Sequence, residues 1–320
     1  MLAQRLSKLR SQLASNAVEQ FYENLSSWSR KHPKARPHKH GVEILDNIPY
    51  ANSGREQHLM DIYRPVGKRD KLPVIFYVHG GGFRILSKDT HWVFGLGFAR
   101  KGYLVVNINY HLAPDHPFPE GMKDVCAAYQ WVCENIHRYG GDPDHIVLAG
   151  ESAGANLVTS LAIAACSNRD EEWAKPIASE CHRPVAVMPS CGLLQVSDSE
   201  RFERRKPLPR IVSAQIKKIQ QDYLKAHGGT APPSSLADPL LIIEEGFERS
   251  RPLPPFFLTV GTRDPILDDT RRLDAALQDL GVSSQVRYYK GELHAFHALV
   301  WRPKAKEWWR DSYAFLDELR

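Results

Sequence analysis

The chain has 320 residues, of which 42% are hydrophobic and 25% are charged, and its formal net charge is +5. This is the composition of an ordinary globular protein with enough apolar residues for a sizeable core. The small basic excess is dispersed, and no basic run alternates with aromatic residues. The composition therefore argues against a protein that binds nucleic acid.

The chain has five cysteines, an odd number, and none of them are in Cys-x-x-Cys spacing. This pattern argues against a disulfide framework and against a cysteine-ligated zinc site. Each is expected to be a free, buried thiol, as in a reducing cytoplasm. No apolar run reaches the length of a membrane span, and the first 40 residues lack the hydrophobic centre of a secretory signal. We therefore expect a cytoplasmic protein.

Residues 2–30 predict one or two amphipathic helices. Apolar side chains recur there at helical spacing: Leu2, Leu6, Leu9, Leu13, Phe21, Tyr22 and Trp28. Helices this short cannot bury such a stripe alone, so they are expected to pack on the body of the protein. The first eighteen residues are basic and contain no acidic residue, which also matches a mitochondrial transit peptide. The apolar stripe favours the packed element.

After a connector at residues 31–40, two strand-like segments flank the turn sequence Asn52-Ser53-Gly54 and predict an antiparallel hairpin of residues 42–49 and 57–63. From Leu72 onward, apolar strands alternate with helical segments. This alternation predicts an α/β fold with a mostly parallel sheet and helices on both faces. The predicted strands are 74–79, 103–110, 146–149, 185–188, 256–260 and 285–289, and the helices are 89–101, 120–137, 153–165, 269–280 and 303–319.

Residues 197–239 interrupt this alternation with a basic stretch, a helical pattern over 211–226, and a loop rich in Gly, Pro and Ser. Insertions at strand ends of α/β sheets commonly cover active sites, so this insert and residues 1–45 are expected to form a helical cap. A peripheral extra helix is the alternative. The predicted organisation is cap helices at 1–45, core at 46–196, cap insert at 197–239 and core at 240–320.

The residues from 146 to 165 predict a strand, a sharp turn and a helix. The turn is Gly150-Glu151-Ser152-Ala153-Gly154. A strand that turns at once into a helix holds its central residue in strained dihedral angles and exposes its side chain, while the flanking glycines relieve crowding. Ser152 is therefore a candidate nucleophile, although the same pentapeptide also occurs in ordinary loops.

A serine hydroxyl needs a neighbouring base, and the base needs an orienting acid. Asp264 directly follows the predicted strand 256–260, and His294 follows the last strand, 285–289. Because parallel strands bring their carboxyl ends to one edge, both side chains are expected near Ser152. The chain order Ser, Asp, His is the order of the α/β-hydrolase arrangement.

Four nearby polar residues are assigned lesser roles. Asp268 and Asp269 lie where the next helix should begin, so a capping role suffices for them. His297 lies one helical step beyond His294 and is expected to face elsewhere. Glu151 is expected to point away from the nucleophile and to have a supporting role.

The segment His79-Gly80-Gly81-Gly82-Phe83 follows a predicted strand. Backbone N–H groups of a glycine-rich turn can approach a developing oxyanion closely, and such a turn forms the oxyanion hole of lipases and esterases. A flexible loop is one alternative. A phosphate-binding loop is a weaker one, because the Gly-Lys-Ser/Thr ending is missing.

Taken together, these motifs resemble the hormone-sensitive-lipase-like group of α/β-hydrolases, the bacterial family IV esterases. The matching blocks occur in family order between residues 79 and 296: His79-Gly80-Gly81-Gly82, Tyr110-His111-Leu112-Ala113-Pro114, Gly141-Asp142-Pro143, Gly150-Glu151-Ser152-Ala153-Gly154, Asp264-Pro265 and His294-Ala295-Phe296. The resemblance implies Ser152 as nucleophile, His294 as general base, Asp264 as orienting acid, and the N–H groups of Gly81, Gly82 and Ala153 as oxyanion hole. It also implies a cap built from N-terminal helices and a mid-chain insert.

The chain departs from the family pattern at two positions. His111 stands where the family usually has Arg, and Asp115 stands where it usually has Glu. These positions support a loop below the site, so the departures concern loop stability more than chemistry. Glu151 places the chain in the branch of the family that has Glu before the serine.

The resemblance implies a carboxylic-ester hydrolase that forms an acyl-enzyme and requires no metal or cofactor. The Leu, Phe and Trp side chains of residues 2–28 in the expected cap favour apolar acyl groups of short to medium length. Its expected partner is a small-molecule ester, and a homodimer is compatible with the chain. One alternative is an amidase or peptidase on the same triad. Another is a non-catalytic small-molecule receptor, such as the gibberellin receptors that resemble this family. Receptors of that kind lose a triad member, whereas all three are present here.

Overall fold

The computed structural model describes Gln20, Asn24 and residues 26–67 and 71–320. The predicted leucine stripe and the transit-peptide alternative therefore lie outside the described residues, and of the predicted N-terminal helices residues 26–30 are helical. Among the described residues, no helix combines the length and apolarity needed to cross a membrane.

Eight strands form one sheet in the order β1-β2-β4-β3-β5-β6-β7-β8. The strands β3 to β8 pair in parallel, whereas β2 pairs antiparallel with β1 and β4. The predicted α/β fold and its N-terminal antiparallel hairpin are confirmed. The strands are β1 Val42–Pro49, β2 Leu59–Pro65, β3 Leu72–Val78, β4 Leu104–Ile108, β5 Gly141–Glu151, β6 Ala186–Ser190, β7 Phe256–Gly261 and β8 Ser284–Tyr289.

From residue 31 onward, the described residues contain nine α-helices. They are α1 Trp92–Ala99, α2 Glu120–Asn135, α3 Ala153–Cys166, α4 Lys175–Glu180, α5 Arg201–Arg205, α6 Arg210–Tyr223, α7 Pro239–Glu245, α8 Leu267–Asp279 and α9 Pro303–Asp317. The predicted helices correspond to α1, α2, α3, α6, α8 and α9. The short helices α4, α5 and α7 were not predicted, because five to seven residues are too few to establish a helical period.

The core has two apolar layers, one on each face of the sheet. Val74, Phe76 and Val78 of β3 pack in the layer that holds α2, α3 and α8. Ile75 and Tyr77, which alternate with them, pack in the layer that holds α1 and α9. Because successive side chains of a strand point to opposite faces, a strand covered on both sides is apolar throughout. This explains the continuous apolar runs in the sequence.

The helix that begins beside Ser152 is buried along its whole length. Its Asn156 amide donates to the carbonyl oxygens of Leu193 and Ala237, at 2.9 and 3.0 Å. Buried amide donors paired in this way are costly to leave unsatisfied. Asn156 therefore fixes the start of α3 against the two ends of the insert.

The insert is anchored to the core by a buried carboxylate. Asp269 accepts backbone N–H bonds from Leu194 at 2.8 Å and Gln195 at 3.3 Å, and its carboxylate forms an ion pair with Arg201 at 2.5 Å. Asp268 forms an ion pair with Arg205 of the same insert. The prediction that these two aspartates act as helix caps is therefore too limited, because both carboxylates hold the insert.

All five cysteines are free and buried, as predicted: Cys126, Cys133, Cys166, Cys181 and Cys191. Burial raises the pKa of the Cys126 thiol above its usual value, which favours the protonated form.

Candidate active site

Ser152 lies at the junction of β5 and α3 with φ 52° and ψ −115°, a strained conformation for a residue with a side chain. Its N–H donates to the carbonyl oxygen of Ser190 at 2.9 Å, which holds the turn against β6. A Cβ on Gly154 would lie 2.1 Å from the carbonyl oxygen of Val78, and one on Gly150 would lie 2.6 Å from that of Gly154. Both flanking glycines are therefore required by close backbone approaches.

The three predicted triad residues lie in one continuous hydrogen-bonded chain. His294 Nε2 lies 2.9 Å from Ser152 Oγ, and His294 Nδ1 lies 2.8 Å from Asp264 Oδ2. The second carboxylate oxygen of Asp264 accepts the N–H of Ile266 at 2.9 Å, which fixes the orientation of the carboxylate. With its Nδ1–H donated to Asp264, the imidazole presents the Nε2 lone pair to the serine hydroxyl. Such an arrangement can remove the serine proton.

Burial and the neighbouring Asp264 act on the His294 imidazole in opposite directions. Burial alone would lower the pKa of His294, but the charge and hydrogen bond of Asp264, together with the interactions of Cys191, outweigh burial and raise the pKa well above its usual value. The carboxylate side chain of Asp264 is fully buried. A protonated imidazole at this position is thereby stabilised.

We expect the acid limb of the pH profile to follow His294. Below its pKa the imidazole is protonated and cannot accept the serine proton, so kcat/KM falls as pH falls. Because the pKa is raised, the limb is expected above about pH 6.5, the ordinary histidine value. The measurement is kcat/KM for a soluble ester between pH 5 and 9. Full activity at pH 5 would contradict this assignment.

The glycine turn lies directly against the serine. A Cβ on Gly80 would lie 3.2 Å from Ser152 Cβ, and one on Gly81 would lie 2.0 Å from the carbonyl oxygen of Ile85. Gly81 and Gly82 have φ values of 107° and 61°, which favour glycine. The turn is therefore a tightly packed part of the site, in contrast to the flexible-loop alternative.

Neighbouring residues hold the turn in place. Burial lowers the pKa of His79 to about 3, so its ring is neutral, and Nδ1 donates to the carbonyl oxygen of Gly80 at 2.7 Å. The Tyr110 hydroxyl donates to the carbonyl oxygen of His79 at 3.0 Å. Ala153 is the first residue of α3, where backbone N–H groups lack helical partners and face outward. The three predicted oxyanion donors thus lie on segments that adjoin the serine.

Glu151 has two imidazole partners that sequence reasoning did not identify. His91 Nε2 lies 2.8 Å from Oε1, and His297 Nε2 lies 3.2 Å from Oε2. Burial alone would raise the pKa of Glu151, but the bonds from His297 and His91 outweigh burial and hold the pKa below its usual value. As predicted, Glu151 is directed away from the serine hydroxyl, and His297 faces Glu151.

Glu151 therefore joins the serine turn to two other segments of the site. His297 lies three residues after His294, and His91 precedes α1. The Glu151 carboxylate also lies 2.9 Å from the position of a Cβ on Gly80, so it touches the glycine turn. Through His297, its carboxylate contacts the segment that carries His294.

Replacing Glu151 by Gln is expected to lower kcat by tenfold to about a hundredfold with little change in KM, because a small misplacement of His294 slows chemistry more than binding. The glutamine carbonyl oxygen can accept a hydrogen bond from only one of the two imidazoles, His91 or His297. The glutamine NH₂ group then faces the N–H of the other imidazole, so two donors oppose each other. The measurement is a steady-state comparison with Glu120→Gln, whose carboxylate pairs with Lys123 on the surface. Equal kcat in both variants would count against a positioning role.

A cavity of about 1600 Å³ opens over the serine. Both segments predicted to form the cap contribute to the lining of this cavity: Ser26 and Trp28 from the N-terminal part, and Gln215 and Ile219 from α6. A Cβ on Gly82 would lie only 2.8 Å from Ile219 Cδ1. The insert therefore reaches the glycine turn itself.

A family model described as the alpha/beta hydrolase fold matches residues 75–298. The chain belongs to this α/β-hydrolase family. The predicted resemblance to the hormone-sensitive-lipase-like esterases is confirmed. The prediction that the chain is an esterase is confirmed as well, without its substrate or its catalytic residues.

Two curated relatives illustrate this α/β-hydrolase's place in the family. It is 27% identical over 300 residues to a versiconal hemiacetal acetate esterase of Dothistroma septosporum, covering 90% of this chain and 84% of the relative. It is 30% identical over 254 residues to esterase LipQ of Mycobacterium tuberculosis, covering 78% of this chain and 56% of that relative.

Solved structures share the fold. Esterase LipW of Mycobacterium marinum superimposes with a TM-score of 0.75 at 22% identity, and the match covers 97% of this chain and 90% of that one. At this identity the likeness concerns architecture.

Proposed function

We propose that this α/β-hydrolase is a carboxylic-ester hydrolase in which Ser152 is the nucleophile, His294 the general base and Asp264 the orienting acid. The observation that carries the proposal is the unbroken chain of 2.8 and 2.9 Å contacts from Asp264 through His294 to Ser152. A receptor on a hydrolase fold needs no such chain, because binding a ligand does not require its serine to give up a proton.

In the acylation step, Ser152 Oγ attacks the ester carbonyl carbon while its proton moves to His294 Nε2. The carbonyl oxygen becomes negatively charged as the tetrahedral intermediate forms. It is stabilised by the backbone N–H groups of Gly81, Gly82 and Ala153. Preorganised donors of this kind are each worth about two to three orders of magnitude in rate.

The intermediate collapses when His294 returns the proton to the leaving alcohol oxygen, and the acyl group stays on Ser152. Water then enters and gives a proton to His294 Nε2 as its oxygen attacks the acyl carbon. Collapse of the second intermediate breaks the bond to Ser152 Oγ, which takes the proton back. The carboxylic acid leaves, and the site is regenerated without a metal or a cofactor.

The cap, in this proposal, comprises residues 1–45 and the insert 197–239, with the core at 46–196 and 240–320. Its support is the cavity lining, which draws side chains from both cap segments. Ile219 of α6 lies against Gly82 and limits the space beside the oxyanion donors. The substrates are accordingly esters with short- to medium-chain acyl groups.

A chain-length series of p-nitrophenyl esters tests this specificity. Soluble butanoate and hexanoate esters are expected to react faster than long-chain emulsions. Ile219→Ala is expected to shift the preference toward longer acyl chains, because it removes the side chain that limits the space beside Gly82. Ile211→Ala is the matched control, since Ile211 lies on the same helix and is 80% exposed.

Faster hydrolysis of long-chain emulsions than of short esters by the unaltered protein would contradict the proposed chain length. A p-nitroanilide with the same acyl group separates esterase from amidase. The ester is expected to react faster, and an equal or faster anilide would favour the amidase.

A further inference from the structure

A second cluster of polar side chains lies outside the triad. His58 ends the short 3₁₀ helix before β2, His111 follows β4, and Asp124 lies in α2. His58 Nε2 lies 3.0 Å from Asp124 Oδ1, and His111 Nδ1 lies 2.7 Å from Asp124 Oδ2. One carboxylate thus faces two imidazole nitrogens, and the mechanism proposed above uses none of the three residues.

We propose that His58, His111 and Asp124 form a binding site for a divalent zinc-type cation. Their three ligand atoms all lie within 4.8 Å of one another. The ligands of a tetrahedral zinc ion lie about 3.4 Å apart, given zinc–ligand bonds near 2.0 to 2.1 Å, so side-chain shifts of about an ångström complete the site. Two imidazoles and one carboxylate are a ligand set suited to Zn²⁺, with water in the fourth position.

The surroundings of the cluster suit a cation that enters from solvent. The side chain of His58 is 16% exposed, whereas those of His111 and Asp124 are 6% and 10% exposed. His58 Nδ1 lies 2.5 Å from Ser53 Oγ, so the nitrogen opposite the ligand atom already has a partner. Outer hydrogen bonds of this kind fix the orientation of a metal-bound imidazole.

Arg55 competes with the cation. Its Nη1 lies 3.3 Å from His111 Nε2, which therefore accepts a hydrogen bond when no metal is bound. Once a metal occupies Nδ1, the proton of neutral His111 resides on Nε2 and faces the guanidinium donor. Arg55 is exposed and can turn away, but its charge opposes that of the cation. Removing this charge should therefore tighten metal binding.

The cluster is connected to the glycine turn through one loop. Residues 110–119 begin at the cluster, and the Ala113 N–H of this loop donates to the carbonyl oxygen of Phe83 at 2.8 Å. The His111 N–H itself donates to Asp124 Oδ2 at 2.6 Å. A bound cation would hold His111 and the start of this loop, so its expected effect is on stability. The proposal does not depend on the function of Ser152.

Isothermal titration calorimetry with Zn²⁺ on chelator-treated protein tests the site. The unaltered protein is expected to bind one Zn²⁺ per chain at this site. His111→Arg and His58→Gln should each weaken binding at least about tenfold. Arg55→Gln should tighten it about two- to fivefold.

The matched control is His182→Gln. His182 forms an exposed pair with Asp144 at 2.7 Å and offers only two ligands, so its loss should leave this binding event unchanged. His111→Arg places a cation beside Asp124 and should keep the loop folded, which circular dichroism checks. Equal zinc binding by the unaltered protein and both histidine variants would overturn the proposal, and so would weaker binding by Arg55→Gln.

Discussion

Replacing Ser152 by Ala is expected to lower kcat by at least about 10⁴-fold for p-nitrophenyl esters, because no other group can form the acyl-enzyme. His294 and Asp264 keep their mutual contact in this variant, so the fold and the cavity should persist. The expected residual rate comes from the oxyanion donors and from binding alone. The measurement is steady-state kinetics with soluble short-chain esters.

Ser179→Ala is the control for this experiment. Ser179 is exposed on α4 and donates only to the carbonyl oxygen of Lys175 in its own helix, so its loss should leave kcat unchanged. Thermal unfolding of both variants checks that the fold is intact. Undiminished ester turnover by a folded Ser152→Ala variant would remove Ser152 from the mechanism.

Asp264→Asn is expected to lower kcat by about 10⁴-fold, the effect of the corresponding change in a serine protease of another fold. An asparagine side chain can donate to His294 Nδ1, which places the imidazole proton on Nε2, where it faces the serine. Loss of the negative charge also removes the interaction that raises the pKa of His294, so the acid limb of the residual activity should move to lower pH.

Asp268→Asn is the matched control, because it makes the same chemical change four residues away at a carboxylate that pairs with Arg205 of the insert. Its kcat should stay within a few-fold of the unaltered protein. If the two variants had equal activity, Asp264 would not be the orienting acid.

The sequence predicted most of the fold, because buried strands and amphipathic helices leave clear apolar patterns. The early start of β5 at Gly141 was missed, since Asp142-Pro143-Asp144 carries no apolar signal even though Gly141 pairs with Leu72. The predicted roles of Asp268 and Asp269 were also incomplete. Their partners lie more than 60 residues away in the insert, and a local capping signal does not reveal such contacts.

The candidate site was predictable where chemistry coincides with strand ends. Ser152, Asp264 and His294 each follow a strand, and the structure brings their side chains within hydrogen-bond distance, although their catalytic roles stay predictions. His91 and His297 were not predicted as partners of Glu151. A single buried histidine produces no repeating pattern in the sequence that would reveal its partner. Only the folded structure shows which carboxylate it contacts.

The most direct test of the central claim is covalent labelling with a fluorophosphonate that carries a short alkyl chain, followed by peptide mass spectrometry. The proposed mechanism predicts one modified residue, Ser152, with labelling lost in Ser152→Ala and strongly slowed in Asp264→Asn. Ester hydrolysis by a protein that is labelled at another residue, or labelling that persists in Ser152→Ala, would contradict it.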